Sequence, residues 1–154
     1  MTEKQLVAFR REKVGFIFQS YNLLNTMNAI ENVALPLAFR GVPKKERLKK
    51  AREYMELVGV DKQENQMSGG QQQRVGIARA LVVKPQIIFA DEPTGNLDSK
   101  TTMEVLQLMQ KIVREQNQTL VMVTHDNNLA SYADRRIRIV DGKIVNIEVG
   151  QRRE

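Results

Sequence analysis

Three short apolar runs, each of which stops at a polar residue, constrain the fold of this chain more than any other feature of its sequence. They are VGFIF at Val14–Phe18, QIIFA at Gln86–Ala90 and TLVMVT at Thr119–Thr124. Short runs without alternating polarity are typical of strands that are buried on both faces. Because segments with helical periodicity separate the runs, we predict an α/β fold with a mainly parallel sheet.

The segments between these runs carry helix signals at their ends. Asn28 followed by Glu31 is typical of a helix start. We predict helices over Ala29–Arg40, from Pro43 to Gly59, over Gln71–Val83, and from an Asp98 or Ser99 cap to about Glu115. We expect a polar loop at Asp61–Met67, and Asp141-Gly142 predicts a β-hairpin.

Composition excludes several classes of site. The chain has no cysteine and one histidine, His125, which excludes disulfide scaffolds, thiolate chemistry and multi-histidine metal centres. No apolar run approaches the roughly 18 residues that a membrane span needs. The charged N-terminus is unlike a secretory signal, so we expect a cytoplasmic protein. The net charge of +6, concentrated in Arg40–Arg52, permits an anionic partner, but a solvated helix face also accounts for it.

Polar groups suited to phosphate chemistry follow the apolar runs. Gln19 follows the first run, Asp91 and Glu92 follow the second, and His125 follows the third. Ligands of open α/β sheets bind at the carboxyl ends of the strands. A carboxylate there can hold Mg²⁺, usually through water, and a second carboxylate can deprotonate an attacking water. Taken singly, each residue also fits a structural interpretation, as a strand end that meets solvent or as a structural histidine.

Ser68-Gly69-Gly70-Gln71 is a second candidate site. Small residues directly before a helix let a phosphate approach the backbone, where N–H groups and the positive end of the helix face the anion. Three small residues alone fit a flexible linker before a helix better than a phosphate site. The glutamines and arginine that follow, together with the apolar run that ends in two carboxylates, favour phosphate binding.

Four segments, in family order, resemble motifs of the ATP-binding cassette (ABC) ATPases. FQSYNLL (Phe18–Leu24) resembles the Q-loop, and MSGGQQQRVGIARAL (Met67–Leu81) resembles the signature motif, with Met67 where leucine is commoner. IIFADEPTGNLDS (Ile87–Ser99) resembles the Walker B strand, catalytic glutamate and D-loop, and VTHD (Val123–Asp126) resembles the switch histidine. The resemblance covers nearly the whole chain and is strongest with the lipoprotein-release, macrolide-efflux and cell-division branch.

The resemblance implies ATP and Mg²⁺ as cofactors and a role for each candidate residue. Glu92 would be the general base, and His125 would contact the γ-phosphate. Asp91 would hold Mg²⁺ through water, with Gln19 assisting. Asp98 would connect the two sites of a dimer. The residues that would close on ATP bound to the opposing subunit are Ser68, Gly69, Gly70 and Gln71.

The resemblance also implies a P-loop NTPase fold (RecA-like, ABC-type) with a parallel-sheet core and an inserted helical subdomain. Residues 1–18 would be a remnant of the core, 19–25 the Q-loop, 26–83 the helical subdomain with the signature loop, and 84–154 the rest of the core. The phosphate-binding pattern G-x-x-x-x-G-K-[ST] does not occur in these 154 residues. We therefore expect a cassette truncated at the N-terminus, without Walker A, that exposes apolar strand residues and binds and hydrolyses ATP poorly alone.

The function that this resemblance implies is an ATP-hydrolysing subunit that energises export or extraction of a substrate by a membrane permease. The expected partners are the permease, docked by Tyr21–Leu24 and the helices through Gly59, and a second ATPase subunit in a homodimer at the inner face of the membrane. The alternative is a non-catalytic truncated module that binds the permease or an intact ATPase subunit. A nucleic-acid ATPase is disfavoured, because such relatives insert long coiled coils and Ser68 lies only 49 positions after Gln19.

Overall fold

The computed structural model describes residues 1–60 and 67–150, and the chain divides into two units, Met1–Met122 and Val123–Glu154. The predicted loop at Asp61–Met67 lies outside the described residues, except for Met67. The predicted domain boundaries follow the motifs rather than the packing, and they stay predictions.

Three strands form one sheet in the order β1-β2-β3, where β1 is Val14–Phe18, β2 is Ile87–Asp91 and β3 is Thr119–Val123. β1 and β2 are parallel, with Val14 opposite Ile87 and Phe18 opposite Asp91. The predicted α/β fold with parallel pairing is therefore confirmed. Each strand lies within one residue of its predicted bounds, because short apolar runs with polar ends mark strands well.

Helices precede and connect these strands, and each of them except the third has a side-chain N-cap. Within the described residues of the first unit they are α1 (Glu3–Lys13), α2 (Ala29–Phe39), α3 (Lys44–Leu57), α4 (Gly69–Leu81) and α5 (Ser99–Glu115). The predicted start at Asn28 is confirmed, since its Oδ1 accepts from Glu31 N at 2.9 Å while Glu31 Oε2 accepts from Asn28 N at 3.0 Å. Gly59, with a φ of 72°, follows α3 in the left-handed conformation that ends many helices.

α4 begins two residues earlier than the sequence predicts. The pattern predicts a start at Gln71, because glycine is a weak helix former, but Gly69 and Gly70 form the first turn. Ser68 Oγ accepts from Gln71 N at 3.3 Å, and Gln71 Oε1 accepts from Ser68 N at 2.7 Å. This reciprocal capping box supports the helix start and offsets the weak propensity of the two glycines.

The core of the first unit surrounds α4. This helix packs against α2 and α3 and also against β1 and α5. Large side chains of α4 and of other elements of this unit are fully buried, and they include Met55, Ile77, Leu81, Ile88, Leu106 and Met109. α4 therefore joins the α2–α3 pair to the sheet and to α5.

β1 and β2 bury one of their two faces and leave most of the other exposed, where Val14 alone is buried among their residues. Ile17, Ile88 and Ala90 are buried, whereas Phe16, Phe18 and Phe89 are exposed. The Phe16 ring stacks on Phe18 and on Phe89, with centroid distances of 6.0 and 5.8 Å. The prediction that these strands are buried on both faces is wrong, and the expected exposure of apolar strand residues is confirmed.

The second unit contains a short helix and a hairpin. α6 (Asn127–Ala130) precedes β4 (Arg135–Val140), which pairs antiparallel with β5 (Lys143–Val149). Asp141 and Gly142 both have positive φ, 47° and 73°, as a two-residue hairpin turn requires. The predicted hairpin is confirmed.

Candidate functional site

The loops that follow β1 and β2 lie together at the carboxyl edge of the sheet. Phe18 is opposite Asp91, so Gln19 and Glu92 follow at the same edge. Asn96 Nδ2 donates to the Gln19 carbonyl at 3.1 Å, and Gln19 Nε2 donates to Asn96 Oδ1 at 3.4 Å. The structure thus brings Gln19, Asp91 and Glu92 to one edge, as the strand-end argument predicts.

Glu92 begins a tight turn, which fixes the position of the backbone from which its side chain extends. Glu92 has a φ of 44°, in the left-handed region, which costs a non-glycine residue roughly 1–3 kcal/mol. The Gly95 N–H donates to the Glu92 carbonyl at 3.0 Å. A Cβ atom on Gly95 would lie 2.5 Å from Gln19 Nε2, so a side chain there would displace the Gln19 amide from its present position. The strained conformation of Glu92 therefore depends on contacts that the surrounding residues supply.

The two glycines of the signature segment are required by packing within this chain. A Cβ atom on Gly69 would lie 2.9 Å from Tyr21 Oη, and one on Gly70 would lie 2.6 Å from Thr101 Cγ2. Ser68 and Gln71 are engaged with each other in the capping box. The first N–H groups of α4 have no carbonyl partner within the helix, so this end of α4 is suited to an anion.

Asp98 is the N-cap of α5. Its Oδ1 accepts from Lys100 N at 3.1 Å and from Thr101 N at 3.0 Å, and its Oδ2 accepts from Thr101 Oγ1 at 2.6 Å. The hydrogen bond from the Thr101 hydroxyl, followed by that from the Thr101 N–H, lowers the pKa of Asp98 below its ordinary value. Because Thr101 also packs against Gly70, the cap adjoins the signature segment. The predicted role of Asp98 between two nucleotide sites stays a prediction.

Arg79 connects α4 to the Q-loop segment. Its guanidinium donates to the Asn22 carbonyl at 2.6 Å and to the Tyr21 carbonyl at 2.7 Å. Tyr21 and Asn22 have positive φ, 59° and 50°, so this bidentate contact holds an irregular stretch of backbone. Burial lowers the pKa of Arg79.

Gln73 connects α4 to the turn after Glu92. It is fully buried, and its Nε2 donates to the Pro93 carbonyl. Sequence analysis missed both Gln73 and Arg79. The available signal for Gln73 was its place on the apolar stripe of α4, one turn before Ile77, where a polar side chain must have a reason to be buried. Arg79 gave no such signal, since its partners are backbone carbonyls.

The profile of the ABC transporter family matches residues 1–95, which is more than half of the chain. The chain belongs to the ABC transporter family. The predicted family is therefore confirmed, and the four motif segments can be compared with known ABC proteins.

Two curated ABC proteins resemble the chain over almost its whole length. The lipoprotein-releasing system ATP-binding protein LolD of Geobacter metallireducens is 46% identical over 144 residues, which are 91% of this chain and 64% of LolD. The macrolide export ATP-binding/permease protein MacB of Aggregatibacter actinomycetemcomitans is 48% identical over 150 residues, which are 95% of this chain and 23% of MacB. The predicted branch is confirmed, and the chain spans less than two thirds of either relative.

A solved ABC structure shows the same fold. The ATP-binding cassette MJ0796 of Methanocaldococcus jannaschii, in a dimeric post-hydrolysis state bound to ADP and Pi, superposes with a TM-score of 0.83 at 42% identity. The match covers 98% of this chain and 68% of that one. The predicted ABC-type P-loop NTPase fold is therefore confirmed.

The acidic edge of this ABC chain fits a magnesium ion that keeps most of its water. Asp91 is exposed at the end of β2, and Gln19 bonds Asn96 through its amide nitrogen rather than its amide oxygen. Within residues 1–60 and 67–150, no group of three or more His, Asp or Glu side chains is placed to hold a metal ion. One carboxylate with an amide oxygen nearby suits Mg²⁺, which commonly binds one or two protein ligands together with water and phosphate.

His125 lies in the second unit, directly before Asp126, the N-cap of α6. Asp126 caps this helix, and its Oδ1 accepts from Asn128 N at 2.7 Å. The Asp126 N–H donates to Thr124 Oγ1 at 3.0 Å, so a local turn orders the backbone around His125. The predicted contact of His125 with a γ-phosphate stays a prediction.

Across the described part of the chain, no helix has both the length and the apolar character needed to cross a bilayer.

Proposed function

We propose that this chain is the ATP-binding and ATP-hydrolysing part of an ABC transporter that energises export or extraction of a substrate by a membrane permease. The observation that carries the proposal is the edge where Gln19, Asp91 and Glu92 meet, in a chain that also holds a complete signature segment. The names of LolD and MacB, lipoprotein release and macrolide export, indicate the branch.

In this proposal Glu92 takes a proton from the water that attacks the γ-phosphate, and its strained turn aims the carboxylate. Asp91, with Gln19 beside it, would hold Mg²⁺, which supplies charge neutralisation to the phosphates when it is bound. His125 donates to the terminal phosphate and keeps it in line with the water.

We also propose that two subunits pair head to tail. The signature residues Ser68, Gly69, Gly70 and Gln71 of one subunit would contact the nucleotide held by the other, and Asp98 would link the two sites. The dimeric state of MJ0796 supports this arrangement. The permease would dock against Tyr21–Leu24 and the α2–α3 pair, which places the subunit at the inner face of the membrane.

Replacement of Glu92 tests the assigned base. In a complete cassette that includes the P-loop, Glu92→Gln should lower turnover about 10²–10⁴-fold, because the amide cannot accept the proton. ATP binding should stay unchanged, since shape and hydrogen-bonding capacity are nearly preserved. Glu115→Gln is the matched control, because Glu115 is an exposed residue at the end of α5 that pairs with Lys111 in the i,i+4 position at 3.9 Å. Unchanged turnover in Glu92→Gln would remove Glu92 from its role.

The nucleotide affinity of the 154-residue chain tests the finer proposal that it binds Mg·ATP weakly and hydrolyses it negligibly alone. The reason is that the G-x-x-x-x-G-K-[ST] pattern, which would cradle the β- and γ-phosphates, does not occur in the sequence. Calorimetric titration of the folded chain with a non-hydrolysable Mg·ATP analogue should show no measurable heat of binding. Micromolar binding would contradict the proposal and would also count against the alternative of a non-catalytic module.

A further inference from the structure

We propose that Gln73 is a positioning residue that holds the turn carrying Glu92 from the signature helix α4. The proposal rests on the role of Glu92 proposed above. It concerns a residue that touches neither nucleotide nor metal, and it acts through the backbone of Pro93.

Gln73 is placed where a side-chain amide is unfavourable for stability. Its side chain is 0% exposed, and Nε2 donates to the Pro93 carbonyl. Among the described residues, its Oε1 is buried without a hydrogen-bond partner. A buried acceptor without a partner destabilises the folded state, and an apolar side chain of the same shape would avoid that cost. The amide is therefore better explained by the carbonyl that it holds than by the stability of the helix.

The carbonyl that Gln73 holds belongs to the turn that positions the base. Pro93 directly follows Glu92, whose φ of 44° requires outside support. The turn itself contributes two backbone hydrogen bonds, from Gly95 N to the Glu92 carbonyl at 3.0 Å and from Leu97 N to the Thr94 carbonyl at 3.1 Å. Gln19 and Asn96 hold its far side. The Gln73 amide adds a hydrogen bond from α4 to the Pro93 carbonyl.

This contact gives the signature helix a direct mechanical connection to the base. Gln73 lies one turn after the Gly69-Gly70 start of α4, so a shift of the helix end would move the amide together with the Pro93 carbonyl. Glu92 directly precedes Pro93 in the chain. Removal of the amide should therefore loosen the turn without loosening the core.

Amide hydrogen exchange in the 154-residue chain, followed by NMR, tests the anchor without any need for ATP hydrolysis. Gln73→Met matches the length of the side chain and removes both the donor and the unpartnered acceptor. We expect exchange of the Gly95 and Leu97 amides to rise about tenfold, as for the loss of one hydrogen bond, while exchange in β1 and β2 and the melting temperature are unchanged or improved. Gln72→Met is the matched control, because Gln72 Nε2 donates instead to the Met67 carbonyl at 3.2 Å.

Two results would overturn the anchor. One is unchanged exchange of Gly95 and Leu97 in Gln73→Met, and the other is a uniform rise across the chain with a lower melting temperature, which would mark Gln73 as a purely structural residue. If Gln73→Met does not fold, Gln73→Asn decides. It keeps the amide but is one methylene shorter, so exchange of the two amides should exceed that of the wild type, and equal exchange would contradict the proposal.

Turnover in the assembled transporter tests whether the anchor serves the base. Gln73→Met should lower kcat about tenfold and leave the KM for ATP within about twofold, because the base is misplaced while the nucleotide contacts remain. An unchanged kcat would overturn the positioning role. The two proposals can fail separately. Unchanged turnover in Glu92→Gln would count against the role of Glu92, whereas unchanged amide exchange of Gly95 and Leu97 in Gln73→Met would count against the anchor.

Discussion

The two faces of the β1–β2 pair are built from similar residues and have opposite surroundings. On one face Ile17, Ile88 and Ala90 are 1–2% exposed. On the other, Phe16, Phe18 and Phe89 are 37–44% exposed. On β1 the first face is covered by α4, which approaches so closely that a Cβ atom on Gly15 would lie 2.7 Å from the Ala80 carbonyl oxygen. We call these the covered face and the open face.

The difference shows that the strand sequence does not decide which face is packed. Parallel strands that are apolar on both sides normally have layers on both sides, yet among the described residues of these two strands the open face is buried only at Val14. The candidate site adjoins the open face, because Asp91 continues the side on which Phe89 lies and pairs in register with Phe18. The chemistry of the edge and the exposure of the phenylalanines therefore belong to the same side of the sheet.

Truncation of neighbouring residues on β2 gives the largest effect expected from this comparison. Ile88→Ala should lower the free energy of unfolding by about 2–4 kcal/mol, because Ile88 is 1% exposed and its truncation leaves a cavity in the core. Phe89→Ala should lower it by less than about 1.5 kcal/mol, although more atoms are removed, because the ring is already partly in solvent. Urea unfolding of both variants measures the difference. Equal losses would mean that the open face is covered in solution and would break the comparison.

Local signals in the sequence predict the parts of this fold that local chemistry controls. The Asn28–Glu31 capping box, the Asp98 cap and the Asp141-Gly142 turn each depend on residues within three positions of one another, and all three are present. The strand ends also place Gln19, Asp91 and Glu92 correctly, because register and edge follow from parallel pairing.

The features that the sequence does not predict depend on what lies opposite in space. The close packing of the α4 glycines involves Tyr21 and Thr101 opposite them, and Arg79 needs the carbonyls of Tyr21 and Asn22. The single buried face of β1 and β2 depends on which layers are present. Such partners are distant along the chain, 58 and 57 positions away in the case of Arg79. Periodicity and capping rules therefore carry no information about them.

The smallest expected effect concerns the charge on Asp98, the N-cap of α5. This helix packs against α4, the helix on the covered face of β1. The Thr101 hydroxyl and N–H lower the pKa of Asp98 in the folded chain. The charged cap therefore stabilises the fold above the ordinary aspartate pKa of about 3.9, and this contribution is lost as the pH falls through the lowered value.

Replacement of Asp98 by asparagine removes the charge but keeps a side chain that can cap the helix. Asp98→Asn should therefore be slightly less stable than the wild type at neutral pH, by less than Phe89→Ala. The gap in stability between Asp98→Asn and the wild type should close on acidification. Thermal unfolding from neutral pH to below the lowered pKa of Asp98 measures the gap, with Phe89→Ala as the control whose gap should not close. A gap that stays constant with pH would show that the charge on Asp98 adds nothing to the stability that this residue gives as the N-cap of α5.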